Sequence, residues 1–186
     1  MDKLIPVVVI KELSETEKVM KALKNHGINC AEITFRTACA AEAIALACEK
    51  FPDMNVGAGT VINGEQCEAA LQAGAKFIVS PGLSVDVAKI CKFRGVPYYP
   101  GCVTPTEIMQ AIDLGITTVK FFPANVYGGL KALKALAAHF PQIKFIPTGG
   151  VDRSNLDEFL AFEKVYAVGG SFMVKEALDK WEAENK

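Results

Sequence analysis

The sequence predicts an α/β fold in the form of one parallel (β/α)8 barrel that spans residues 1–186. Short apolar runs rich in β-branched residues alternate with amphipathic stretches along the whole chain, which favours strand–helix repeats. Eight repeats fit into 186 residues, whereas a typical (β/α)8, or TIM, barrel has about 250, so we expect a compact single-domain barrel with short loops. The alternative, an open doubly wound sheet, requires a glycine-rich turn after the first strand. Lys11-Glu12-Leu13 stands there instead.

The predicted strands are the apolar runs, and the predicted helices are the amphipathic stretches that follow them. Strands are expected at residues 4–10, 30–36, 55–60, 77–81, 98–103, 117–123, 144–148 and 165–171. Helices are expected at residues 14–26, 40–51, 65–73, 85–93, 106–114, 129–139, 155–161 and 174–184. Catalytic residues of such barrels lie at the C-terminal ends of the strands, so the residues there are the functional candidates.

Capping sequences and glycines mark the ends of the predicted helices. Ser14 with Glu17, and Thr104 with Glu107, match the capping box, in which a hydroxyl and a carboxylate accept hydrogen bonds from free backbone N–H groups. Glycines stand where the first, third, fourth and fifth helices are expected to end, as is typical of helix C-termini. They are Gly27, Gly74, Gly95 and Gly115.

The composition is that of a globular protein with almost balanced charge. Hydrophobic residues make up 51% of the chain and charged residues 22%, and the net charge is -1. There is no excess of positive charge for binding nucleic acid or anionic lipid, and no apolar run approaches the roughly 18 residues of a membrane span. Strand-like sequence begins at Leu4, which leaves no room for a signal peptide. We expect a cytoplasmic protein that acts on a small molecule.

The cysteines and histidines do not indicate a metal site or a disulfide framework. The six cysteines are scattered without a C-x-x-C pair, so we expect reduced thiols. The two histidines, His26 and His139, fall at helix ends, opposite the face where barrel enzymes work. No metal and no cofactor is predicted.

A lysine inside the sixth predicted strand is the main catalytic candidate. Because strand side chains alternate between two faces, Lys120 shares a face with Thr118 and Phe122, whereas Val119 and Phe121 face the helices. A lysine in an apolar interior loses its proton more readily than one in water, and only the neutral amine attacks a carbonyl carbon. The alternative is a lysine that extends to the rim or pairs with an acid.

The second predicted strand places two charges and a hydroxyl on its inner face, namely Glu32, Arg36 and Thr34. At about 3.3 Å per residue, Glu32 lies some 13 Å deeper in the barrel than Arg36. Interior layers draw on alternate strands, so Glu32 and Lys120 are expected in one layer. Such a pair is either structural or a proton-transfer partner for imine chemistry. Arg36 at the mouth suits a carboxylate, although a surface ion pair is the alternative.

Glycines and hydroxyls end four of the predicted strands. Gly149-Gly150 and Gly169-Gly170-Ser171 end the seventh and eighth strands, where barrels often bind phosphate with backbone N–H groups. Thr60 ends the third strand and can offer a hydroxyl to a substrate carboxylate. Pro81 ends the fourth strand in Ser80-Pro81-Gly82, which is a turn sequence.

Motifs along the whole chain resemble those of the 2-dehydro-3-deoxy-phosphogluconate (KDPG) and 4-hydroxy-2-oxoglutarate (KHG) aldolase family. Residues 27–36 read G-I-N-C-A-E-I-T-F-R and residues 115–128 read G-I-T-T-V-K-F-F-P-A-N-V-Y-G, which are similar to its two signatures. The shorter motifs G-A-G-T-V, S-P-G, P-G-C-V-T-P-T-E, P-T-G-G and G-G-S follow in the family's order. One departure is Phe172, which stands where a tryptophan is frequent.

The resemblance implies a role for each candidate. Lys120 matches the lysine that forms the Schiff base, and Glu32 matches the acid/base group. Arg36, Thr60, Pro81 and Phe122 match substrate-binding positions, and Gly149, Gly150, Gly170 and Ser171 match phosphate-binding positions. The family also implies a metal-free, cytoplasmic homotrimer.

The expected reaction is a class I aldol cleavage, a step of carbohydrate metabolism in the Entner–Doudoroff route. KDPG would give pyruvate and glyceraldehyde 3-phosphate, and KHG would give pyruvate and glyoxylate.

Three alternative functions stay open at this point. They are an aldolase for the galactonate isomer, a phosphosugar epimerase or isomerase on the same barrel, and a non-catalytic binding protein that kept the scaffold.

Overall fold

Residues 3–185 are described by a computed structural model, in which eight strands alternate with eight α-helices. The strands are β1 (Leu4–Val8), β2 (Cys30–Thr34), β3 (Asn55–Gly59), β4 (Ile78–Val79), β5 (Tyr98–Tyr99), β6 (Thr118–Phe121), β7 (Lys144–Pro147) and β8 (Val168–Gly170). The helices are α1 (Thr16–Asn25), α2 (Ala40–Lys50), α3 (Gly64–Gln72), α4 (Val85–Arg94), α5 (Pro105–Asp113), α6 (Gly129–His139), α7 (Leu156–Leu160) and α8 (Phe172–Glu184).

The strands form a closed parallel ring. Six of them are hydrogen-bonded in the order β5-β4-β3-β2-β1-β8, and β6 pairs with β7. Isolated parallel bridges join these two sheets, Gly101 with Lys120 between β5 and β6, and Thr148 with Gly169 between β7 and β8. The predicted (β/α)8 barrel is therefore confirmed, and the open doubly wound sheet was the wrong alternative.

The predicted strands are longer than the observed strands, mainly at their C-terminal ends. The run 30–36 ends as a strand at Thr34, and the run 98–103 ends at Tyr99. The apolar pattern continues past these residues because the first loop residues are also partly buried. Hydrogen-bonded pairing, which the pattern does not report, stops earlier.

One predicted capping box is correct and the other is wrong. The Glu107 backbone N–H donates to Thr104 Oγ1 at 3.3 Å, and Glu107 Oε2 accepts from the Thr104 N–H at 2.8 Å. Ser14, by contrast, lies inside a 3-10 turn, Leu13–Glu15, and α1 begins only at Thr16. There the Glu15 carboxylate accepts hydrogen bonds from the backbone N–H groups of Lys11 and Glu12, which precede the turn. The predicted Ser14–Glu17 capping box therefore does not form.

Apolar side chains fill the space between the strands and the helices and also the inside of the ring. Ile33, Val119 and Phe121 are fully buried against the helices that surround the strands. A separate buried cluster lies inside the ring, formed by Ile5, Cys30, Phe77, Val79, Tyr99, Ile146 and Ala167. Cys30 is the inward-facing position of β2 that precedes Glu32. The interior cluster therefore fills the barrel below Glu32 and leaves the other end for a site.

Cysteines and histidines occupy the places that the sequence indicated. The six cysteines are thiols that form no disulfide. His26 follows the last residue of α1, and His139 ends α6. None of the helices formed by residues 3–185 has the length and apolar character needed to cross a membrane. Within the same residues, His, Cys, Asp and Glu side chains do not gather in groups of three that could hold a metal ion.

Gly101, which bridges β5 to β6, supplies a test of how the ring packs against the turn after β4. A Cβ atom added to Gly101 would lie 1.9 Å from the Pro81 carbonyl oxygen, whereas a Cβ on Gly82 would meet nothing within 4 Å. Overpacking a buried position costs roughly 1–3 kcal/mol, and about 2–4 °C in melting temperature accompanies each kcal/mol in a chain of this size. We expect Gly101→Ala to lower the melting temperature by about 2–12 °C, as measured by circular dichroism. Gly82→Ala is the matched control, and equal melting of the two variants would contradict this account of the packing at Gly101.

Candidate active site

A buried lysine and a buried glutamate meet across the interior of the barrel. Lys120 in β6 and Glu32 in β2 have side chains that are only 4% and 3% exposed, and Lys120 Nζ lies 3.4 Å from Glu32 Oε1. Their strands place them there because the flanking residues of β6, Val119 and Phe121, pack against helices on the other face. A separation of 3.4 Å exceeds the roughly 2.7–2.9 Å of a strong charge-assisted hydrogen bond. The amine is thus next to an acid without being firmly held by it.

Two glycines of β3 make room for these interior side chains. A Cβ atom on Gly59 would lie 2.1 Å from Glu32 Oε1, and a Cβ on Gly57 would lie 2.4 Å from the Phe77 ring. Strand glycines often mark such close approach. From the sequence, G-A-G-T-V is only a strand end and a family motif, and the close approach of Gly59 to the Glu32 carboxylate was not predicted.

Phe122 joins the buried pair to an open cavity. Lys120 Nζ lies 4.9 Å from the centre of the Phe122 ring. The same ring lines a cavity of about 180 Å³ at the C-terminal ends of the strands, together with Val7, Val9, Arg36, Thr148, Gly149, Gly150, Val151, Gly170 and Ser171. The Phe122 ring therefore contacts the buried lysine and also lines a cavity whose lining includes the four predicted phosphate-binding residues.

Arg36 and Thr60 form a polar contact at the mouth of the barrel. Arg36 Nε donates a hydrogen bond to Thr60 Oγ1 at 3.1 Å, and Arg36 is exposed to solvent. Thr60 has a φ of 55°, a left-handed conformation that is strained for a residue other than glycine. Thr34, which was expected to face the interior, is buried and donates its hydroxyl to the Val8 carbonyl at 3.0 Å. Its hydroxyl therefore ties β2 to β1 and is not free for a substrate.

The turn after β7 presents free backbone donors to the cavity. Gly149 and Gly150 have φ values of 87° and 74°, which glycine adopts without strain. Among residues 3–185, neither N–H group donates to a protein acceptor. Ser171, directly before α8, lines the opposite side of the same cavity. Free N–H groups and a helix N-terminus are the groups that bind phosphate in many proteins.

An ion pair that the sequence analysis did not identify supports the start of α8. The Phe172 ring fills the space beside Gly170, where a Cβ would approach it to 2.7 Å. The Arg153 guanidinium lies 5.5 Å from the centre of that ring and pairs with Glu176 at 2.7 Å. The hydrogen bond from Arg153 holds the pKa of the Glu176 carboxyl below its ordinary value. Arg153, from the loop after β7, and Glu176, one turn further along α8, thus support the position of the ring that follows Ser171.

Pro81 is the one predicted substrate-binding residue that lies apart from the others. It is exposed and lines a second cavity of about 240 Å³ with Val61, Ile62, Gly82, Leu83 and Ser84. The Tyr98 hydroxyl accepts a hydrogen bond from the Ser84 N–H at 3.1 Å and so fastens this loop. The structure therefore brings together Lys120, Glu32 and Phe122 at depth and the glycines at the rim, but not Pro81.

The arrangement combines three capabilities. A buried amine beside a carboxyl group can form an imine with a ketone and move protons during that reaction. A guanidinium at the mouth can hold a carboxylate. Free N–H groups of Gly149 and Gly150, which line the same cavity as Arg36, can hold a second anion.

Comparisons with known proteins point in the same direction. The family model for KDPG and KHG aldolase matches residues 1–185. A 2-dehydro-3-deoxy-phosphogluconate aldolase of Treponema pallidum is 45% identical over 172 residues, which are 92% of this chain and 82% of that protein. A KHG/KDPG aldolase of Escherichia coli is 41% identical over 170 residues, 91% of this chain and 80% of that protein.

A solved structure is similar over nearly the whole chain. It is the crystal structure of KDPG aldolase from Legionella pneumophila, with pyruvate captured at low pH as a covalent carbinolamine intermediate. It is 39% identical to this chain, has a TM-score of 0.91, and the match covers 98% of this chain and 88% of that one.

Proposed function

Because the chain belongs to the KDPG and KHG aldolase family, we propose that it is a class I aldolase with Lys120 as the Schiff-base residue. It cleaves 2-dehydro-3-deoxy-6-phosphogluconate to pyruvate and glyceraldehyde 3-phosphate, and it also accepts 4-hydroxy-2-oxoglutarate, which gives pyruvate and glyoxylate. The observation that carries this assignment is the buried Lys120 Nζ at 3.4 Å from Glu32 Oε1, beside the Phe122 ring that lines the cavity.

The first half of the reaction forms an imine. The neutral Lys120 amine attacks the C2 ketone and gives a carbinolamine, in which the former carbonyl oxygen is a hydroxyl group. Protonation of that hydroxyl lets water leave, and the nitrogen lone pair forms the protonated imine. Glu32 is the only carboxyl group within hydrogen-bond reach of Nζ among the described residues, so we assign this proton transfer to it.

The second half breaks the carbon–carbon bond. The C4 hydroxyl loses its proton, the C3–C4 bond breaks, and its electron pair moves into the imine to give the enamine of pyruvate and a free aldehyde. A proton is then added at C3, and water hydrolyses the imine to release pyruvate and the amine. The imine nitrogen is itself the electron sink, so we propose that the reaction needs no cofactor.

Binding groups at the two ends of the cavity orient the substrate. Arg36 and Thr60 hold the carboxylate of the 2-oxo acid, because a guanidinium offers two parallel donors to a carboxylate. Gly149, Gly150, Gly170 and Ser171 hold the phosphate at the other end. Phe122 covers the imine from one side. For Pro81 we propose a role at the rim, where it supports the substrate-binding loops.

Replacement of the lysine gives the most direct test. We expect Lys120→Ala to abolish pyruvate release and to show no mass increase after borohydride reduction with pyruvate, because no amine is left to form the imine. Mass spectrometry with peptide mapping should place one reduced pyruvate adduct on Lys120 of the wild-type protein. Lys92→Ala, an exposed lysine of α4, is the control and should retain both signals. An active Lys120→Ala protein would refute the mechanism.

Glu32 is tested separately from imine formation. Glu32→Gln keeps the size of the side chain but removes a group that can exchange protons, and acid–base groups of this kind contribute about 10²–10⁴-fold to rate. We expect kcat to fall within that range in a coupled assay of pyruvate release, whereas some pyruvate is still trapped on Lys120 by borohydride. Unchanged turnover would remove Glu32 from the role assigned to it.

We also propose that the chain works as a homotrimer in the cytoplasm, with residues 1–186 as one domain. Six cysteines without a disulfide suit a reducing compartment. Exposed apolar side chains lie on three consecutive β/α units, namely Ile62 before α3, Val85 at the start of α4 and Met109 in the middle of α5, and they offer a surface for a second copy.

Analytical ultracentrifugation tests this assembly. We expect a species of three 20.0 kDa chains for the wild type. Ile62→Lys should shift it towards the monomer, because a charge is introduced into the apolar surface. Gln72→Lys, at the other end of α3, adds the same charge outside that surface and should leave the trimer intact. A wild-type protein that sediments as a single chain would contradict the proposal.

A further inference from the structure

The loop after β6 lies directly on the glycine turn after β7. The Ala124 N–H donates to the Thr148 carbonyl at 2.8 Å, and the Asn125 N–H donates to the Gly149 carbonyl at 3.1 Å. The loop that begins two residues after Lys120 therefore follows the turn to its outer end. Asn125 is the residue that reaches Gly150.

The Asn125 side chain occupies the space over Gly150. A Cβ atom added to Gly150 would lie 2.3 Å from Asn125 Cγ and 2.6 Å from Asn125 Nδ2. Gly150 thus lacks a side chain for two reasons, its φ of 74° and the carboxamide packed against it. The carboxamide is consequently adjacent to the free Gly150 N–H group.

Two asparagines flank this turn, and only one of them has its carboxamide engaged. Asn155 Nδ2 donates to the Gly150 carbonyl at 3.0 Å, and Asn155 Oδ1 accepts from the Asp152 N–H at 3.0 Å. The Asn125 carboxamide makes no hydrogen bond to any other side chain or backbone group of residues 3–185, and the residue is exposed beside Gly150, which lines the cavity. It has two N–H donors available for a ligand.

We propose that Asn125 is a specificity-determining residue that donates a hydrogen bond to the substrate phosphate and favours the phosphorylated substrate over 4-hydroxy-2-oxoglutarate. This inference rests on the proposed function. The C4 substituent of 4-hydroxy-2-oxoglutarate is a carboxylate, whereas the phosphate of the sugar acid lies one carbon and one ester oxygen further out. Only the longer substrate reaches the turn at Gly150, so only that substrate meets the carboxamide.

The test is a change of charge with almost no change of shape. Asn125→Asp places a negative charge where the phosphate binds, and Asn125→Ala removes the donor. The ratio of kcat/KM for the phosphorylated substrate to that for 4-hydroxy-2-oxoglutarate is measured for both variants. Asn29→Asp, at the N-terminal end of β2 and on the opposite face of the barrel, is the matched control for the added charge. Borohydride trapping of pyruvate on each variant reports whether the imine end of the site is intact.

We expect the ratio to fall about tenfold or more in Asn125→Asp, because like charges at hydrogen-bond distance repel, and about threefold to tenfold in Asn125→Ala, as for a lost hydrogen bond. The loss in Asn125→Asp should shrink with added salt, and Asn29→Asp should keep the wild-type ratio. A wild-type ratio in Asn125→Asp, or an equal fall for both substrates, would overturn the inference alone. A wild-type protein that cleaves neither substrate and traps no pyruvate would overturn the proposed function and this inference together.

Discussion

The contact between Lys120 and Glu32 is the interaction on which the rest of the site depends. Both groups are almost completely buried, and burying two ionisable groups is costly unless they meet with good geometry. At 3.4 Å the geometry is loose, so the pair is a poor device for stabilising a barrel. An apolar pair of similar volume would stabilise the interior at least as well. Retaining an amine and an acid here is understandable if the two groups react.

The pair has its place because neighbouring positions lack side chains. Gly59 leaves room for the Glu32 carboxylate, and Gly57 leaves room for the Phe77 ring of the apolar cluster below it. That cluster fills the barrel on one side of Glu32, and the cavity lined by Phe122 lies at the C-terminal ends of the strands. A second glycine has the same effect in the turn after β7, where Gly150 leaves room for the Asn125 carboxamide. The site is therefore shaped by glycines as much as by its functional side chains.

Strand alternation explains why so much of the interior was predictable. Once residues 117–123 are taken as a strand, Lys120 and Phe122 must share a face. In the structure, Lys120 Nζ lies 4.9 Å from the centre of the Phe122 ring. Alternation also predicts which layer Glu32 occupies. The ends of the strands were less predictable, because loop residues beyond the last backbone hydrogen bond between strands keep the apolar pattern. The capping motif at Ser14 failed for a related reason, since a 3-10 turn precedes α1 and the motif does not report it.

The contacts that the sequence does not predict are those between loops. Arg153 reaches Phe172 and Glu176 past α7 and β8, and no local spacing encodes that distance. Asn125 reaches Gly150 because β6 pairs directly with β7, so that the loop after β6 lies along the turn after β7. Pro81 lies in a motif typical of the family, yet its loop lines a different cavity from Phe122. Motifs thus select candidate residues reliably, but they do not predict which of those residues are in contact in the folded chain.

The two parts of the proposed site would bind in different ways. A covalent bond to Lys120 requires a dry and rigid interior, and the strands provide it. The proposed phosphate site consists of backbone N–H groups and exposed side chains on loops, where single substitutions alter recognition without altering the interior. In the proposed mechanism the imine involves only the part of the substrate that becomes pyruvate, so a change of the other part leaves the chemistry the same. That separation gives a physical reason why one barrel can serve both a phosphorylated sugar acid and a shorter dicarboxylate, with the preference between them set at the rim.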